Sequence, residues 1–299
     1  MGVTKLLVLA LTMWMAPPVE PPAAWPSLLV GLQNSFAEGD WVPGRAWFIS
    51  GWALGAPKQT TVDAFIAKTD EQLAELLAKY LLRHPALTPD TTAVVVLDIE
   101  RPERLSRLAH LLDQERPEES KRRFRAVVEG FKRRVAVVRA ALPNAVICLY
   151  DFGSPAPKGK DSESFRNQVG AQRAAVSQGL LAGVDAVCPV LYMRFGAGER
   201  GYASIARATE QSIEACRSLL TGVTPQPRII PLLSFAIFNG NSVDHGTPAD
   251  VGGTAQRLEL LDRLGIRTAI LWSGDSTISG SSTQISSWYA ELAALRPNP

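Results

Sequence analysis

TTAVVVLDIERPERL, residues 91–105, combines a run of β-branched residues with two carboxylates one residue apart. The run is apolar without interruption over residues 93–97, which is typical of a strand buried on both faces in a parallel sheet. Side chains two residues apart in a strand lie on the same side, so Asp98 and Glu100 are predicted to point the same way and Ile99 towards a helix layer. The stretch therefore predicts a buried parallel strand with an acid pair at its carboxyl end.

Six further apolar runs accompany this strand, and helical patterns separate them. The other candidate strands are residues 27–33, 46–52, 145–151, 185–193, 228–235 and 268–274. The helical patterns cover residues 61–83, 103–114, 117–142, 163–182, 201–220 and 249–264. Seven clear parallel strands with intervening helices predict an α/β fold, a TIM-type (β/α) barrel or a distorted form of it. No glycine-rich fingerprint follows the first strand, which argues against an open nucleotide-binding sheet.

The first 24 residues differ from the rest of the chain and are predicted to be a signal peptide with a proline-rich leader. Lys5 precedes an apolar run from Leu6 to Met15, and prolines follow. This run is short for a bilayer, so no stable membrane span is predicted. An uncleaved anchor and a misassigned start are the alternatives. We expect a secreted or periplasmic protein with one barrel domain over residues 27–297.

Charge and cysteine content exclude several classes of partner. The net charge of +2 is too small to indicate binding to nucleic acid or to an anionic membrane surface. Two basic runs, residues 121–125 and 132–134, lie in a helical pattern, and we interpret both as its solvated face. The three cysteines have no metal-ligand spacing and are predicted to be buried free thiols, namely Cys148, Cys188 and Cys216.

Polar and aromatic residues cluster at the predicted strand ends, where the active sites of barrels lie. Besides Asp98 and Glu100, the candidates are Arg101, Tyr150, Asp151, Tyr192, Arg194, Trp272 and Asp275. Proximity of two carboxylates raises the pKa of one, which leaves a protonated acid beside an anion. Hydrolysis of a glycosidic bond needs such a pair, and aromatic rings provide surfaces on which a sugar stacks.

Other interpretations of these residues stay open. The acid pair could equally form a loop salt bridge with Arg101 or Arg104. A metal site would require His245 near the acids, because His84 and His110 do not follow a predicted strand. A serine hydrolase would require a G-x-S-x-G turn, which does not occur. We therefore predict neither a metal nor a cofactor.

Four motifs, in the same order and at similar spacing, resemble those of the hyaluronidases, family 56 of the glycoside hydrolases. They are LDIERP (97–102), SKRRFRAVVEGFKRRVAVVRAALPN (120–144), PVLYMRF (189–195) and AILWSGD (269–275). The similarity extends from about residue 28 to residue 297. It implies an endo-glycosidase that acts on a glycosaminoglycan-like polysaccharide containing N-acetylhexosamine.

The resemblance also implies a retaining mechanism in which the N-acetyl oxygen of the substrate is the nucleophile. Glu100 would be the general acid and then the general base, and Asp98 would orient and stabilise the acetamido group. Tyr192 would hydrogen-bond that group, Trp272 would form the wall of its pocket, and Tyr150 would line the same site. Arginines would bind an anionic polymer, with Arg101, Arg194 and Arg200 as the candidates.

The chain departs from the family in three places. The tryptophan that often follows the acid pair is absent, the disulfide cysteines have no counterparts, and the aromatic end of strand six is replaced by LLSFAIF (232–238). The last change points to a different glycan or to a groove rebuilt by the loop over residues 239–249. A barrel that binds carbohydrate without catalysis is the alternative function, and an unrelated, metal-dependent barrel hydrolase is a third.

Overall fold

The structure is a computed structural model, which describes residues 26–31, 44–112, 115–154, 163–192, 202–237, 246–272 and 282–296. The predicted signal peptide, residues 1–24, lies outside the described residues. Among those described, no helix is long and apolar enough to cross a membrane.

The described residues form a parallel sheet of nine short strands, which account for all seven predicted strands. They are β1 (Ser27–Gly31), β2 (Gly44–Ser50), β3 (Val94–Asp98), β4 (Val146–Tyr150), β5 (Ala186–Cys188), β6 (Val190–Leu191), β7 (Arg228–Ile229), β8 (Leu232–Ser234) and β9 (Thr268–Trp272). Their order is β6-β8-β9-β1-β2-β3-β4-β5-β7, and every pairing is parallel. The predicted α/β fold with parallel strands is confirmed.

Two of the predicted strands are interrupted at a proline, which has no N–H to donate to a strand ladder. Pro189 separates β5 from β6, and Pro231 lies between β7 and β8. The ladder nevertheless continues across the first break, because the amide of Leu232 donates to the carbonyl of Pro189 at 2.9 Å. With β6 as the continuation of β5 and β8 as that of β7, the strand order returns to its starting segment, as a barrel requires.

Helices connect the strands and cover the outside of the sheet. They are α1 (Val62–Ile66), α2 (Asp70–Leu81), α3 (Pro117–Ala141), α4 (Glu163–Ser177), α5 (Tyr202–Leu220), α6 (Val251–Arg263) and α7 (Ser282–Ala294). Short 3₁₀ helices occupy Gly51–Leu54 and Leu105–Leu111. The helix predicted over residues 61–83 is two helices, because Thr61 and Thr69 each cap a new N-terminus with the side-chain oxygen. Helix α7 is not predicted from the sequence.

The strands divide their side chains between the barrel interior and the helix layer. On β3, Val96 packs in the interior, whereas Val95 and Leu97 pack against the helices. Ile99 joins the helix-facing cluster, as predicted. Asp98 has the register of Val96 and therefore belongs to the interior side, at its carboxyl end.

The prediction that both basic runs of α3 form a solvated face is wrong for Arg134, in the run 132–134. This side chain is 0% exposed, and its guanidinium lies 3.5 Å from the ring centroid of Phe65. It donates to the carbonyls of Leu54 at 2.7 Å, Gly130 at 2.8 Å and Phe65 at 3.1 Å. The carbonyls at the ends of short helices lack intrahelical partners, and a buried arginine supplies the missing donors.

Candidate active site

A cavity of about 540 Å³ lies at the carboxyl ends of β3, β4, β6 and β9. Six of the residues predicted to act in catalysis or binding line it, namely Asp98, Glu100, Tyr150, Asp151, Tyr192 and Trp272. This volume is typical of small-molecule and sugar sites. The structure thus brings together residues that are up to about 170 positions apart in the sequence.

Asp98 has an unsatisfied polar atom at this cavity. Its Oδ1 is buried and has no hydrogen-bond partner among the residues that the structure describes. Burial, followed by the negative charges of Glu100 and Asp151, raises the pKa of Asp98 to about 7, against the opposing effect of Arg104. Near neutral pH this carboxyl group therefore retains a proton more readily than an ordinary aspartate, and a bound ligand can complete its hydrogen bonding.

Glu100 forms an ion pair with Arg104, whose guanidinium lies 2.6 Å from its Oε1. The salt bridge considered from the sequence therefore exists. It does not remove Glu100 from the candidate site, because both side chains line the same cavity as Trp272. Each side chain of the pair is 41% exposed, so a ligand can reach either one.

Aromatic side chains form another part of the cavity wall. The rings of Tyr192 and Trp272 are stacked, with centroids 5.0 Å apart and an interplanar angle of 11°. The hydroxyls of Tyr150 and Tyr192 share a hydrogen bond, and burial raises the pKa of both well above its usual value. Neutral hydroxyls beside a flat ring provide both polar and apolar contacts for a sugar.

The loop that follows β4 is buried and held by hydrogen bonds. Asp151 is 4% exposed, adopts a left-handed conformation with φ 61°, and accepts hydrogen bonds from the hydroxyls of Ser106 and Ser154. Burial raises its pKa, although these hydrogen bonds oppose the shift. Gly153 has φ 68°, and a Cβ there would lie 2.2 Å from the sulfur of Cys216. Such a strained, fully packed loop fixes the position of Asp151 in the cavity.

Part of the cavity wall could not be predicted from the sequence. The 3₁₀ helix Leu105–Leu111 and the residue before it contribute Arg104, Ser106, Arg107 and His110. The sequence indicates Arg104 only as a salt-bridge partner and places His110 on a helix face. The two residues are six apart, and nothing in their spacing reveals that a short 3₁₀ helix turns both towards the strand ends.

Other predicted residues fall elsewhere. Arg101 is exposed and is not among the residues that line the cavity, so its role in binding stays a prediction. Arg194, Asp275, Arg200 and His245 lie outside the described residues.

The predicted free thiols and the histidines can be placed where the structure describes them. All three cysteines are free and buried, as predicted. The ring of His84 packs against that of Tyr80 at a centroid distance of 4.2 Å and a tilt of 31°, and His84 is not among the cavity residues. Within the described ranges, no group of three or more histidine, cysteine, aspartate or glutamate side chains could hold a metal ion.

Comparison with known proteins identifies the fold. No protein-family model matches the chain, and no curated protein sequence matches it significantly. Among solved structures, bee venom hyaluronidase matches with a TM-score of 0.62 and 14% identity, over 86% of this chain and 85% of that one. The complex of bee venom hyaluronidase with a hyaluronic acid tetramer matches with a TM-score of 0.57, 15% identity and the same coverage. At this identity the likeness shows the fold, so the chain has the TIM-type α/β architecture of that protein.

Proposed function

We propose that the chain is a glycoside hydrolase that cleaves an N-acetylhexosamine-containing polysaccharide with retention, using the acetamido group of the substrate as nucleophile. The observation that carries the proposal is the convergence of Asp98, Glu100, Tyr192 and Trp272 on one cavity at the strand ends. The hyaluronidase-like fold supports it, because barrel enzymes place their chemistry at that end.

In the first step, Glu100 gives its proton to the glycosidic oxygen while the bond from that oxygen to the anomeric carbon breaks. The acetamido oxygen forms a bond to the anomeric carbon, and the positive charge spreads over an oxazolinium ring. Asp98 accepts a hydrogen bond from the acetamido N–H through its free Oδ1 and stabilises that charge. Tyr192 hydrogen-bonds the acetamido group, and Trp272 packs against its methyl group.

In the second step, Glu100 removes a proton from water as the water oxygen attacks the anomeric carbon. The bond to the acetamido oxygen breaks, which restores the N-acetyl group and returns the proton to Glu100. Both displacements occur at the same carbon from opposite faces, so the anomeric configuration is retained.

A second cavity supports a polymer as substrate. It has a volume of about 790 Å³ and shares five residues with the first, among them Arg107, His110 and Gln168. Lys121 and Arg166 add positive charge to its wall. A chain of sugars that extends from the acid pair across the 3₁₀ helix Leu105–Leu111 would occupy both cavities, as internal cleavage of a polysaccharide requires.

A carbohydrate-binding barrel without turnover is the second candidate function. The observation that favours it is the ion pair between Glu100 and Arg104, in which the proposed acid already has a partner in the free protein. The unsatisfied Oδ1 of Asp98 favours the enzyme, because a buried carboxylate beside a second one is a costly feature for a barrel that only binds.

Reducing-end release from hyaluronan, chondroitin, heparosan and chitin tests the proposal, with wild type and Glu100→Gln compared at pH 5 and pH 7. We expect release by wild type that the variant lacks by about 100-fold or more, the scale of a lost general acid. Folded wild-type protein that releases nothing from any polymer but binds one of them would establish the second candidate. We also propose that the protein is secreted. The mass of the exported protein would test this, because removal of the signal peptide shortens the chain.

A further inference from the structure

Ser50 and Asp98 are neighbours on adjacent strands, and each has a buried polar atom without a partner. Ser50 is the last residue of β2, Asp98 is the last residue of β3, and the two are paired in the parallel register. Neither the hydroxyl oxygen of Ser50 nor Oδ1 of Asp98 has a hydrogen-bond partner within the described part of the chain. Buried polar atoms are rarely left unsatisfied, and two of them in one register pair are an exception that points to the site.

The two side chains lie on the same side of the sheet. Phe48 of β2 and Val96 of β3 belong to one cluster in the barrel interior. Ser50 and Asp98 each follow two residues after a member of that cluster, and residues two apart in a strand share a face. Neighbouring strands are about 4.8 Å apart, a spacing that a hydroxyl and a carboxyl group can bridge with one hydrogen bond.

The usual structural role of a serine at this position is not filled. Ser50 is the N-cap residue of the 3₁₀ helix Gly51–Leu54, where a serine side chain commonly accepts a hydrogen bond from a backbone N–H of the first turn. Here the side chain makes no such bond. The next residue is closely packed, since a Cβ on Gly51 would lie 2.6 Å from the carbonyl oxygen of Ala56 and 3.4 Å from that of Asp98. The hydroxyl of Ser50 is therefore held beside Asp98 without serving the helix.

We propose that Ser50 is a positioning residue, whose hydroxyl donates a hydrogen bond to Oδ1 of Asp98 when that carboxyl group ionises. The catalytic part of this inference rests on the proposed function, whereas the contact between the two side chains does not. Ser50 is not among the residues that line the cavity, so it acts through Asp98 and not on the sugar. A carboxylate oxygen can accept two hydrogen bonds, so Oδ1 can bind the hydroxyl and the acetamido N–H together.

Titratable groups surround Asp98 from several elements. They are Glu100 after β3, Tyr150 and Asp151 at the end of β4, Tyr192 after β6, and Arg104 before the 3₁₀ helix Leu105–Leu111. Burial, followed by the charges of Glu100 and Asp151, raises the pKa of Asp98, and the charge of Arg104 opposes this. Arg104 is paired with Glu100, and the two tyrosine hydroxyls share a hydrogen bond. Ser50 is therefore a neutral donor that these neighbours do not engage.

The hydrogen bond favours the form of Asp98 that the reaction needs. In the first step Asp98 must be an anion to stabilise the positive oxazolinium ring, but burial favours the protonated carboxyl group. A hydrogen bond donated to the carboxylate acts in the opposite direction, because it stabilises the anion and lowers the pKa. The bond also restricts rotation of the carboxylate, so that its acceptor oxygen stays directed towards the acetamido N–H.

A ¹³C NMR titration of the aspartate carboxyls tests the contact, with the signal of Asp98 assigned by its absence from Asp98→Asn. Ser50→Ala should raise the pKa of Asp98 by about one pH unit, the scale of a hydrogen bond to a charged group. Ser50→Thr keeps the hydroxyl and should titrate within about 0.3 pH units of wild type. Ser234→Ala is the matched control and should leave this titration unchanged, because Ser234 also ends a strand, β8, which three strands separate from β3.

The pH dependence of kcat/KM tests the catalytic part, on a polymer that wild type cleaves. Its acid limb, where Asp98 loses its proton, should move to higher pH by about one pH unit in Ser50→Ala. Ser50→Thr should restore the wild-type limb. A serine that only packs the end of the strand would instead lower the rate equally at every pH.

An equal pKa of Asp98 in wild type and Ser50→Ala would overturn the contact, and so would an equal rise in Ser234→Ala. A titration of Ser50→Thr that matches that of Ser50→Ala would overturn it as well. A raised pKa with an unchanged acid limb would overturn the positioning role while leaving the proposed hydrolase intact. If no polymer is cleaved, the proposed function fails, and the NMR titration alone decides whether Ser50 donates to Asp98.

Discussion

Arg134 and Asp98 are both buried ionisable side chains, but their surroundings differ. Arg134 donates to three backbone carbonyls and lies on the ring of Phe65. Asp98 is surrounded by Glu100 and Asp151, and its Oδ1 has no hydrogen-bond partner in the described part of the chain. One charge is solvated by the protein, and the other lies next to charges of the same sign.

The difference separates a group that stabilises the fold from one placed for a ligand. A charge that is buried for structural reasons is surrounded by hydrogen-bond partners, because a buried charge without partners lowers the free energy of unfolding. A carboxyl group that lies beside other carboxylates lowers that free energy. It is retained where the missing partner arrives with the substrate. Loss of Arg134 should therefore reduce stability, whereas loss of Asp98 should reduce activity.

Arg134→Met should lower the free energy of unfolding by about 3 kcal/mol, because the carbonyls of Leu54 and Phe65 lose their donor in a buried place. Urea unfolding followed by tryptophan fluorescence measures the loss. Arg125→Ala, an exposed arginine of the same helix, is the control and should change stability by less than about 0.5 kcal/mol. A loss of activity in the folded fraction of Arg134→Met would show that Arg134 contributes to the active site as well as to stability.

Asp98→Asn should lower kcat by about 100-fold, because the neutral amide cannot stabilise the developing positive charge. The same variant should be more stable than wild type above pH 7, by on the order of 4 kcal/mol. Initial rates and urea unfolding of the two proteins give both numbers. A variant that loses stability together with activity would show that Asp98 belongs to the fold.

The pH dependence of that gain has a defined sign. The pKa of Asp98 is about 7 in the folded protein, above its usual value of 3.8. Between pH 4 and 7 the folded state thus binds more protons than the unfolded state, so this group makes wild type less stable as the pH rises. The advantage of Asp98→Asn should therefore grow through this interval and level off above it. A constant difference from pH 4 to pH 8 would refute the raised pKa.

Gly153→Ala should lower the free energy of unfolding by about 2 kcal/mol, because φ of +68° is strained for alanine and the new Cβ would lie 2.2 Å from the Cys216 sulfur. Gly153 serves both the fold and the site, since it packs in the core and holds the loop of Asp151. Activity should fall together with stability. Addition of Cys216→Ala removes the steric conflict and should restore part of both, whereas no recovery would place the whole effect in the backbone.

Tyr192→Phe should lower kcat/KM by about 10-fold, the value of one hydrogen bond to the acetamido group. The stack on Trp272 is kept, but the hydrogen bond between the Tyr150 and Tyr192 hydroxyls is lost, so the free energy of unfolding should fall by about 1 kcal/mol. Steady-state kinetics on a defined oligosaccharide measures the effect. An equal loss in a substrate without the acetamido group would show that the hydroxyl acts elsewhere.

The fold was predictable because buried parallel strands produce short, uninterrupted apolar runs, and here longer helical patterns separate these runs. All seven runs are strands in the structure. The breaks at Pro189 and Pro231 were not predicted. A proline in an apolar run does not reveal which backbone groups its neighbours hydrogen-bond in the sheet. The helix α7 was missed because its apolar pattern is weak at its start.

The site was predictable where it follows the strands and unpredictable where it depends on a short helix. Asp98, Glu100 and Trp272 lie at strand ends, and parallel strands end on one side of a sheet. Arg104 depends on the path of the chain after β3, and Arg134 depends on which carbonyls lie above α3. Sequence spacing specifies neither, because both contacts arise from packing between separate elements.

The interrupted strand at Pro189 has a consequence for how the site can be observed. The amide of Val190 donates to the hydroxyl oxygen of Ser154 at 3.0 Å, and Ser154 also hydrogen-bonds Asp151. A barrel amide is therefore protected from exchange with deuterated water by a side chain of the cavity loop. The exchange rate of this amide therefore reports how often the loop opens, and it can be measured without a bound substrate and without chemical modification of the protein.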